Sequence, residues 1–165
     1  MAEWPQRSPL IVFEITKEII SEKTLCHLGC KEGDILEGMN KYAKTLSGIE
    51  IDPRHADRAT AKGLDVKQGD YFKCEIPEAE VYYMWPHFGH LPKILDRVCF
   101  DLKYDCTFMV GFGELACPGK DEIINLQKSR GGYIISGQHN EAGGKYGSTF
   151  SVWVVTSEEY RSSKN

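Results

Sequence analysis

Two glycines and two carboxylates follow short apolar segments in the first half of the chain. Gly29 and Gly33 lie in the turn LGCKEG, and glycines at such a turn let the backbone bend sharply and approach a ligand closely. Glu50 lies about 20 residues after Gly29, the interval at which an acidic side chain reaches a ribose in nucleotide-binding α/β folds. A carboxylate there accepts hydrogen bonds from both ribose hydroxyls.

The second carboxylate, Asp70, stands in the turn QGDYF. An acid at the end of a third strand accepts a hydrogen bond from an adenine amino group, and the aromatic residues beside it cover the ring. Each turn taken alone could equally be a tight βα connection, a helix cap or a surface acid. In this order and at this spacing, the three turns predict a nucleoside site.

A fourth segment, VYYMWPHFGH, carries aromatic residues and histidines. Ligands of open α/β sheets lie beyond the carboxyl ends of the strands, so Tyr83, Trp85 and His87 are candidates to shape the pocket of a reacting group. The alternative is that the aromatic residues belong to the core and the histidines to a loop. His87 and His90 have a metal-ligand spacing, but no acid or cysteine stands close to them, and we expect no metal.

Strand-like and helix-like segments alternate along the chain and would position these residues. The pattern predicts an α/β fold with a seven-stranded, mainly parallel, Rossmann-like sheet and helices on both faces. The predicted strands are 24–28, 45–51, 65–68, 80–84, 106–112, 133–136 and 149–156, and the predicted helices are 8–22, 34–44, 54–62, 92–100 and 121–129.

The last two strands are predicted to form an antiparallel hairpin. Residues 137–148 join them without a helical pattern, and a connection of this kind does not easily make a parallel crossover. The final strand should therefore run against the rest of the sheet. Residues 157–165 are polar, and we expect them to be frayed.

In their order, LGCKEG, GIEIDP and QGDYF resemble the cofactor half of the class I S-adenosylmethionine-dependent methyltransferases. The resemblance covers residues 18–112 and extends arguably to 156. The compact layout also resembles the small archaeal and mitochondrial protein-lysine methyltransferases. The resemblance implies a methyltransferase with Tyr83, Trp85 and His87 beside the methyl acceptor as catalytic residues. It also implies that S-adenosylmethionine is bound by His27, Gly29, Cys30, Gly33, Glu50, Ile51, Asp70 and Tyr71.

The chain departs from the family pattern at two positions. His27 stands where the family has an acid that helps to hold the methionine amino group, and Lys31 stands where it has a further glycine. Asp34 or a water could substitute for the acid, and an Asp at position 27 would be expected to tighten cofactor binding. These departures keep open a degenerate, non-catalytic binding module. A dinucleotide site is a further alternative, but Lys31 occupies the middle glycine of its motif.

Length and composition fit one globular domain: the chain has 165 residues, of which 41% are hydrophobic. We expect an N-terminal helix (8–22), a cofactor-binding half (23–90), a C-terminal half (91–156) and a polar tail (157–165). The net charge of −4 argues against a nucleic-acid partner. Without a CxxC pair, signal peptide or membrane span, we expect a reduced, cytoplasmic protein. The acceptor is unidentified, and a homodimer could complete so small a site.

Overall fold

The computed structural model describes residues 10–85, 89–113, 119–138 and 149–163. Its helices are α1 (Leu10–Ile20), α2 (Asp34–Met39), α3 (Pro53–Ala61), α4 (Leu91–Asp96), α5 (Lys120–Arg130) and α6 (Ser157–Ser162). A π-helical turn, Arg97–Asp101, follows α4 directly. The strands are β1 (Thr24–Leu28), β2 (Thr45–Glu50), β3 (Val66–Gln68), β4 (Val81–Met84), β5 (Thr107–Gly113), β6 (Tyr133–Gln138) and β7 (Thr149–Thr156).

All seven strands form one sheet, in the order β3-β2-β1-β4-β5-β7-β6. The pairs among β1 to β5 are parallel, whereas β7 runs antiparallel to both of its neighbours, β5 and β6. The predicted fold and the predicted C-terminal hairpin are therefore confirmed. This topology brings the carboxyl ends of β1 to β5 to one edge of the sheet.

The central strands are buried on both faces, which is typical of parallel sheets and gives near-continuous apolar segments. In β1, Cys26 and Leu28 join one core, whereas Leu25 joins the core on the opposite face. Helix α4, the π-helical turn and α6 cover the first face, and α1 and α2 cover the second. This double burial fixes the register that places His27, Glu50 and Tyr83 at the edge.

Two helices differ in length from the sequence prediction. Helix α2 ends at Met39 instead of Lys44, where the chain turns back so that the Glu22 N–H donates to the Tyr42 carbonyl at 3.0 Å. The predicted helix 92–100 is an α-helix only to Asp96 and then widens into the π-helical turn. The hydrophobic period resembles that of an α-helix in both cases, so the sequence does not mark the change.

The expectation of a frayed C-terminus is wrong. Ser157–Ser162 forms helix α6, which begins with a capping box between Thr156 and Glu159. Tyr160 is buried, and its hydroxyl donates to Asp96 Oδ1 at 2.7 Å. The segment is polar in sequence, but Tyr160 anchors it to the core. In the described ranges, no helix is long and apolar enough to cross a membrane.

Candidate ligand-binding site

The turn after β1 lies across the carboxyl end of β2. The Gly29 N–H donates to the Ile49 carbonyl at 2.8 Å, and both Gly29 and Gly33 have positive φ angles, 78° and 85°. At Gly33 a side chain would also meet Leu64, since a Cβ there would lie 2.3 Å from Leu64 Cδ1. The backbone conformation therefore favours glycine at both positions, and the packing against Leu64 favours it further at Gly33.

Glu50 is the best-held acid at the edge. Its side chain is 6% exposed, with Oε2 accepting from the Lys31 N–H at 2.6 Å and Oε1 accepting from the Asp52 N–H at 3.0 Å. Each carboxylate oxygen has two lone pairs, so both can accept a further hydrogen bond. The carboxylate thus joins the turn after β1 to the end of β2 and keeps acceptor capacity at the edge.

Asp70 caps its own turn after β3. Its Oδ1 accepts from the Phe72 N–H at 2.9 Å, while the Gly69 N–H donates to the Glu50 carbonyl at 2.9 Å. Arg97, in the π-helical turn, donates to the carbonyl of Tyr71 and to that of Cys74, the latter at 2.8 Å. The turn that carries Asp70 therefore lies directly beside the end of β2, which carries Glu50. The role of Arg97 was missed because nothing in its local sequence points to the turn at 70–74.

Tyr71 belongs to the turn after β3 and contacts the segment after β4. Its hydroxyl is 3.0 Å from His90 Nδ1, and a Cβ placed on Gly29 would lie 3.9 Å from its ring. Burial first, and then the negative charges of Asp70 and Glu50, raise the pKa of the Tyr71 phenol to about 12. Tyr71 is therefore a neutral phenol whose ring faces the glycine turn.

His27 is buried at the end of β1 with a 4% exposed side chain. Among the described residues, neither of its ring nitrogens has a hydrogen-bond partner. Its ring stands edge-on to Tyr83, with the centroids 4.9 Å apart. Burial, followed by the positive charge of Lys31, lowers the pKa of His27 to about 3, so the imidazole is neutral at physiological pH.

Tyr83 and Trp85 form a wall beside His27. A Cβ on Gly111 would lie 2.6 Å from the Tyr83 hydroxyl and 3.1 Å from the Trp85 ring, so this glycine makes room for both. Trp85 also packs against Phe150 of β7, with ring centroids 5.3 Å apart. The structure brings Tyr83 and Trp85 together, as predicted. His87 lies outside the described residues.

Ile51 and Cys30 have opposite environments although both follow strand ends. Ile51 is 62% exposed directly after Glu50, where an apolar side chain has no core to join. Cys30 is buried in the core formed with α2, and its sulfur would be 2.7 Å from a Cβ on Gly48. Burial and the charge of Glu50 raise the pKa of Cys30 to about 12. Cys30 is therefore a packing residue, whereas Ile51 offers an apolar surface at the edge.

The acids around the glycine turn face α3 instead of His27. Asp34 lies 2.8 Å from Lys62 Nζ, and Glu32 pairs with Arg58 and with His55. The suggestion that Asp34 substitutes for the missing acid is therefore not supported by its position. The described part of the chain contains no group of three or more metal-ligating side chains.

No protein-family model matches the chain, and no curated protein sequence is significantly similar to it. Solved structures do match. Precorrin-6y C5,15-methyltransferase from Geobacter metallireducens has a TM-score of 0.67 at 11% identity, with 94% of this chain and 91% of that chain covered. The N-methyltransferase NodS from Bradyrhizobium japonicum has a TM-score of 0.65 at 12% identity, with coverages of 87% and 92%.

A third similar structure is named a precorrin 8w decarboxylase, from Methanobacterium thermoautotrophicum. It has a TM-score of 0.65 at 12% identity and covers 94% of this chain and 92% of its own. The chain thus has the Rossmann-like fold of the class I methyltransferases over nearly its whole length. The fold does not identify the reaction, because this third structure is named a decarboxylase whereas the other two are named methyltransferases.

Proposed function

We propose that this chain is an S-adenosylmethionine-dependent methyltransferase with an unidentified acceptor. The observation that carries the proposal is the buried carboxylate of Glu50. It lies at the end of β2, bound by backbone N–H groups on both sides, with the glycine turn and Asp70 next to it. The methyltransferase fold supports this assignment but does not by itself identify a ligand.

The residues at the edge fit an adenosine group. The remaining lone pairs of Glu50 would accept from the ribose hydroxyls, and Asp70 Oδ2 would accept from the adenine amino group. The exposed Ile51 side chain would cover one face of the ring, since an apolar residue that is 62% exposed gains most from a ligand that shields it from water. Gly29 would present its backbone to the ribose with no side chain in between.

Strand order sets the direction of the bound molecule. Asp70 follows β3 and Glu50 follows β2, so adenine and ribose would lie over adjacent strands. The 5′ side of the ribose then points to β1 and β4, where His27, Tyr83 and Trp85 stand. The acceptor pocket would be built from Tyr83 and Trp85, with His87 in the segment that follows.

When bound, S-adenosylmethionine supplies a methyl group on a sulfonium ion. Transfer of this group is an in-line displacement, so alignment by the pocket supplies much of the acceleration. Tyr83 and Trp85 would orient the acceptor and exclude water from it. A base is required only if the acceptor arrives protonated, and in that case His87 is the candidate from the sequence.

The second candidate is a methyltransferase-like binding module without catalytic activity. The observation that favours it is the replacement of the usual acid by His27 and of a glycine by Lys31. Lys31 has a φ of 50°, a left-handed conformation that is uncommon for a residue with a side chain. The turn has kept its glycine-like conformation even though the glycine has been replaced.

Calorimetric titration with S-adenosylhomocysteine separates these candidates. We expect binding by the full chain, and much weaker binding of ATP and NAD, which lack the thioether tail. Binding of S-adenosylhomocysteine together with methyl transfer from S-adenosylmethionine to a peptide or metabolite pool supports the enzyme. Binding without transfer to any acceptor favours the module, and failure to bind overturns the proposal.

A further inference from the structure

The turn after β1 carries a lysine, Lys31, four residues after His27. The two acids of this turn are engaged elsewhere, since Glu32 pairs with Arg58 of α3 and Asp34 pairs with Lys62. Glu50 accepts from backbone N–H groups. Within the ranges that the structure describes, the charge that acts on the His27 ring is the ammonium of Lys31. The site therefore offers a positive charge at a place where the resembling family offers a negative one.

His27 supplies a directional group beside that charge. Its imidazole is almost fully buried, and both ring nitrogens lack a partner among the described residues. A buried polar atom without a partner costs about 1–3 kcal/mol, so its retention suggests a ligand that satisfies it. A neutral imidazole has one N–H donor and one acceptor, and the N–H is suited to a carboxylate oxygen.

We propose that His27 and Lys31 bind the carboxylate of the cofactor's amino-acid tail, and that this carboxylate provides most of the tail's affinity. This inference rests on the proposed function. With adenine over β3 and ribose over β2, the tail extends over β1, where these two residues are found. A cationic side chain and an N–H donor together form charge-assisted hydrogen bonds with an anion, whereas the cationic Lys31 disfavours an adjacent ammonium.

The test compares four adenosine compounds by calorimetric titration against the full chain. They are S-adenosylhomocysteine, its decarboxylated and deaminated counterparts, and 5′-methylthioadenosine, which has no amino-acid tail. We expect loss of the carboxylate to weaken binding about 10- to 100-fold, the effect of removing a charge-assisted hydrogen bond. Loss of the amino group should weaken it less than about threefold. The truncated compound should bind about as weakly as the decarboxylated one.

Variants at position 31 provide a matched pair. Lys31→Gly removes the charge and places glycine at a φ of 50°, a conformation that glycine adopts without strain. It should therefore fold normally and lose most of the preference for the carboxylated compound. Lys31→Arg keeps the charge and should keep the preference. Equal preference in both variants would contradict the proposed role of Lys31.

For His27→Asp, this proposal predicts weaker cofactor binding, whereas the sequence analysis predicts tighter binding. An Asp facing the tail carboxylate should weaken S-adenosylhomocysteine binding by at least about tenfold instead of tightening it. Tighter binding by His27→Asp, or equal binding of the decarboxylated compound by the native chain, overturns this inference alone. Absence of binding by all four compounds overturns the proposed function as well. If His27→Asp fails to fold, the position 31 pair still decides the question.

Discussion

At the scale of single residues, Glu50 does two things with one carboxylate. It accepts from the N–H groups of Lys31 and Asp52 and so fixes two turns, and each oxygen keeps a lone pair for a further hydrogen bond. A structural acid would need only the first of these contacts. The prediction that follows distinguishes the two functions by measuring binding and stability separately.

We expect Glu50→Ala to weaken S-adenosylhomocysteine binding about 10- to 100-fold, because it removes charge-assisted hydrogen bonds to the ribose. The variant should also melt at a lower temperature, since the N–H groups of Lys31 and Asp52 lose their acceptor. Asp57→Ala, which removes an exposed acid of α3, is the control and should change neither quantity. Unchanged affinity in Glu50→Ala would remove the ribose assignment.

Asp70→Ala should weaken binding less than Glu50→Ala does. One hydrogen bond to the adenine amino group is at stake, and the ring keeps its contact with Ile51. The Phe72 N–H loses its acceptor in this variant, but the carbonyls of Tyr71 and Cys74 remain held by Arg97. Titration of both variants under the same conditions measures the ratio. A larger loss for Asp70→Ala would reverse the two roles.

The positions of acidic residues at strand ends could be predicted from the sequence, whereas the contacts and burial of individual side chains could not. Glu50 and Asp70 were found because strand ends of a parallel sheet converge, so their positions along the chain were sufficient. Arg97 is separated from the turn it holds by more than one element, and only tertiary packing brings them together. The side chain of Cys30 was assigned to the ligand site, but it packs into the core because the turn directs it toward Gly48.

At the scale of elements, the glycine turn packs closely against Leu64, in the segment between α3 and β3. We expect Gly33→Ala to lower the free energy of unfolding more than Gly63→Ala does. Both glycines have a φ near 85°, so both substitutions incur the left-handed backbone cost of about 1–2 kcal/mol. Only at Gly33 does the new Cβ also meet a neighbour, Leu64 Cδ1 at 2.3 Å.

Chemical denaturation of these two variants measures the difference directly. Gly63 serves as the matched control because a Cβ there has no atom within 4 Å. Equal losses would mean that Leu64 moves aside at no cost, and that Gly33 is required by its backbone angle alone.

Helix α6 shows how a short polar element can be missed. Its sequence, SEEYRS, has no hydrophobic period, yet Thr156 and Glu159 have the spacing of a capping box. Arg161 donates to the carbonyls of Cys99 and Tyr104, at 2.9 Å for Cys99, and thereby ties the helix to the π-helical turn. The capping spacing was the available signal, but the contacts of Arg161 and Tyr160 are long-range and were not visible from the sequence.

We expect Thr156→Ala to lower the free energy of unfolding by about 1 kcal/mol, the usual cost of losing a side-chain cap. Thr156→Ser keeps the hydroxyl and should keep most of the stability. The measurement is equilibrium denaturation, since a frayed tail would give identical curves for all three proteins.

At the scale of the whole molecule, the sequence pattern identifies the fold more readily than the reaction. The architecture was predictable because alternating strands and helices, together with a final hairpin, leave few topologies. Similar structures share only 11–12% of their residues with this chain over nearly their whole length. The fold is therefore shared at a level of sequence identity that does not identify the reaction.

The pH dependence of global stability should report the buried His27. Its pKa is about 3 in the folded chain and near its ordinary value of 6.5 when unfolded. The unfolded state therefore binds the additional proton, so stability falls as the pH drops below about 6.5 and continues to fall toward 3. One such proton changes the free energy of unfolding by about 1.4 kcal/mol per pH unit.

Substitution of His27 by leucine isolates this contribution. The Glu14 and Glu32 carboxyls have lowered pKa values, so their stabilisation is lost only below their ordinary value of 4.5. The window from pH 6.5 to 4.5 is therefore free of them, and the rest of the chain is identical in the two proteins. We expect the free energy of unfolding, measured by denaturation across this window, to fall more steeply for the native chain than for His27→Leu. Parallel curves would mean that the His27 ring is solvated or paired in solution, and would remove the basis for assigning it to a ligand.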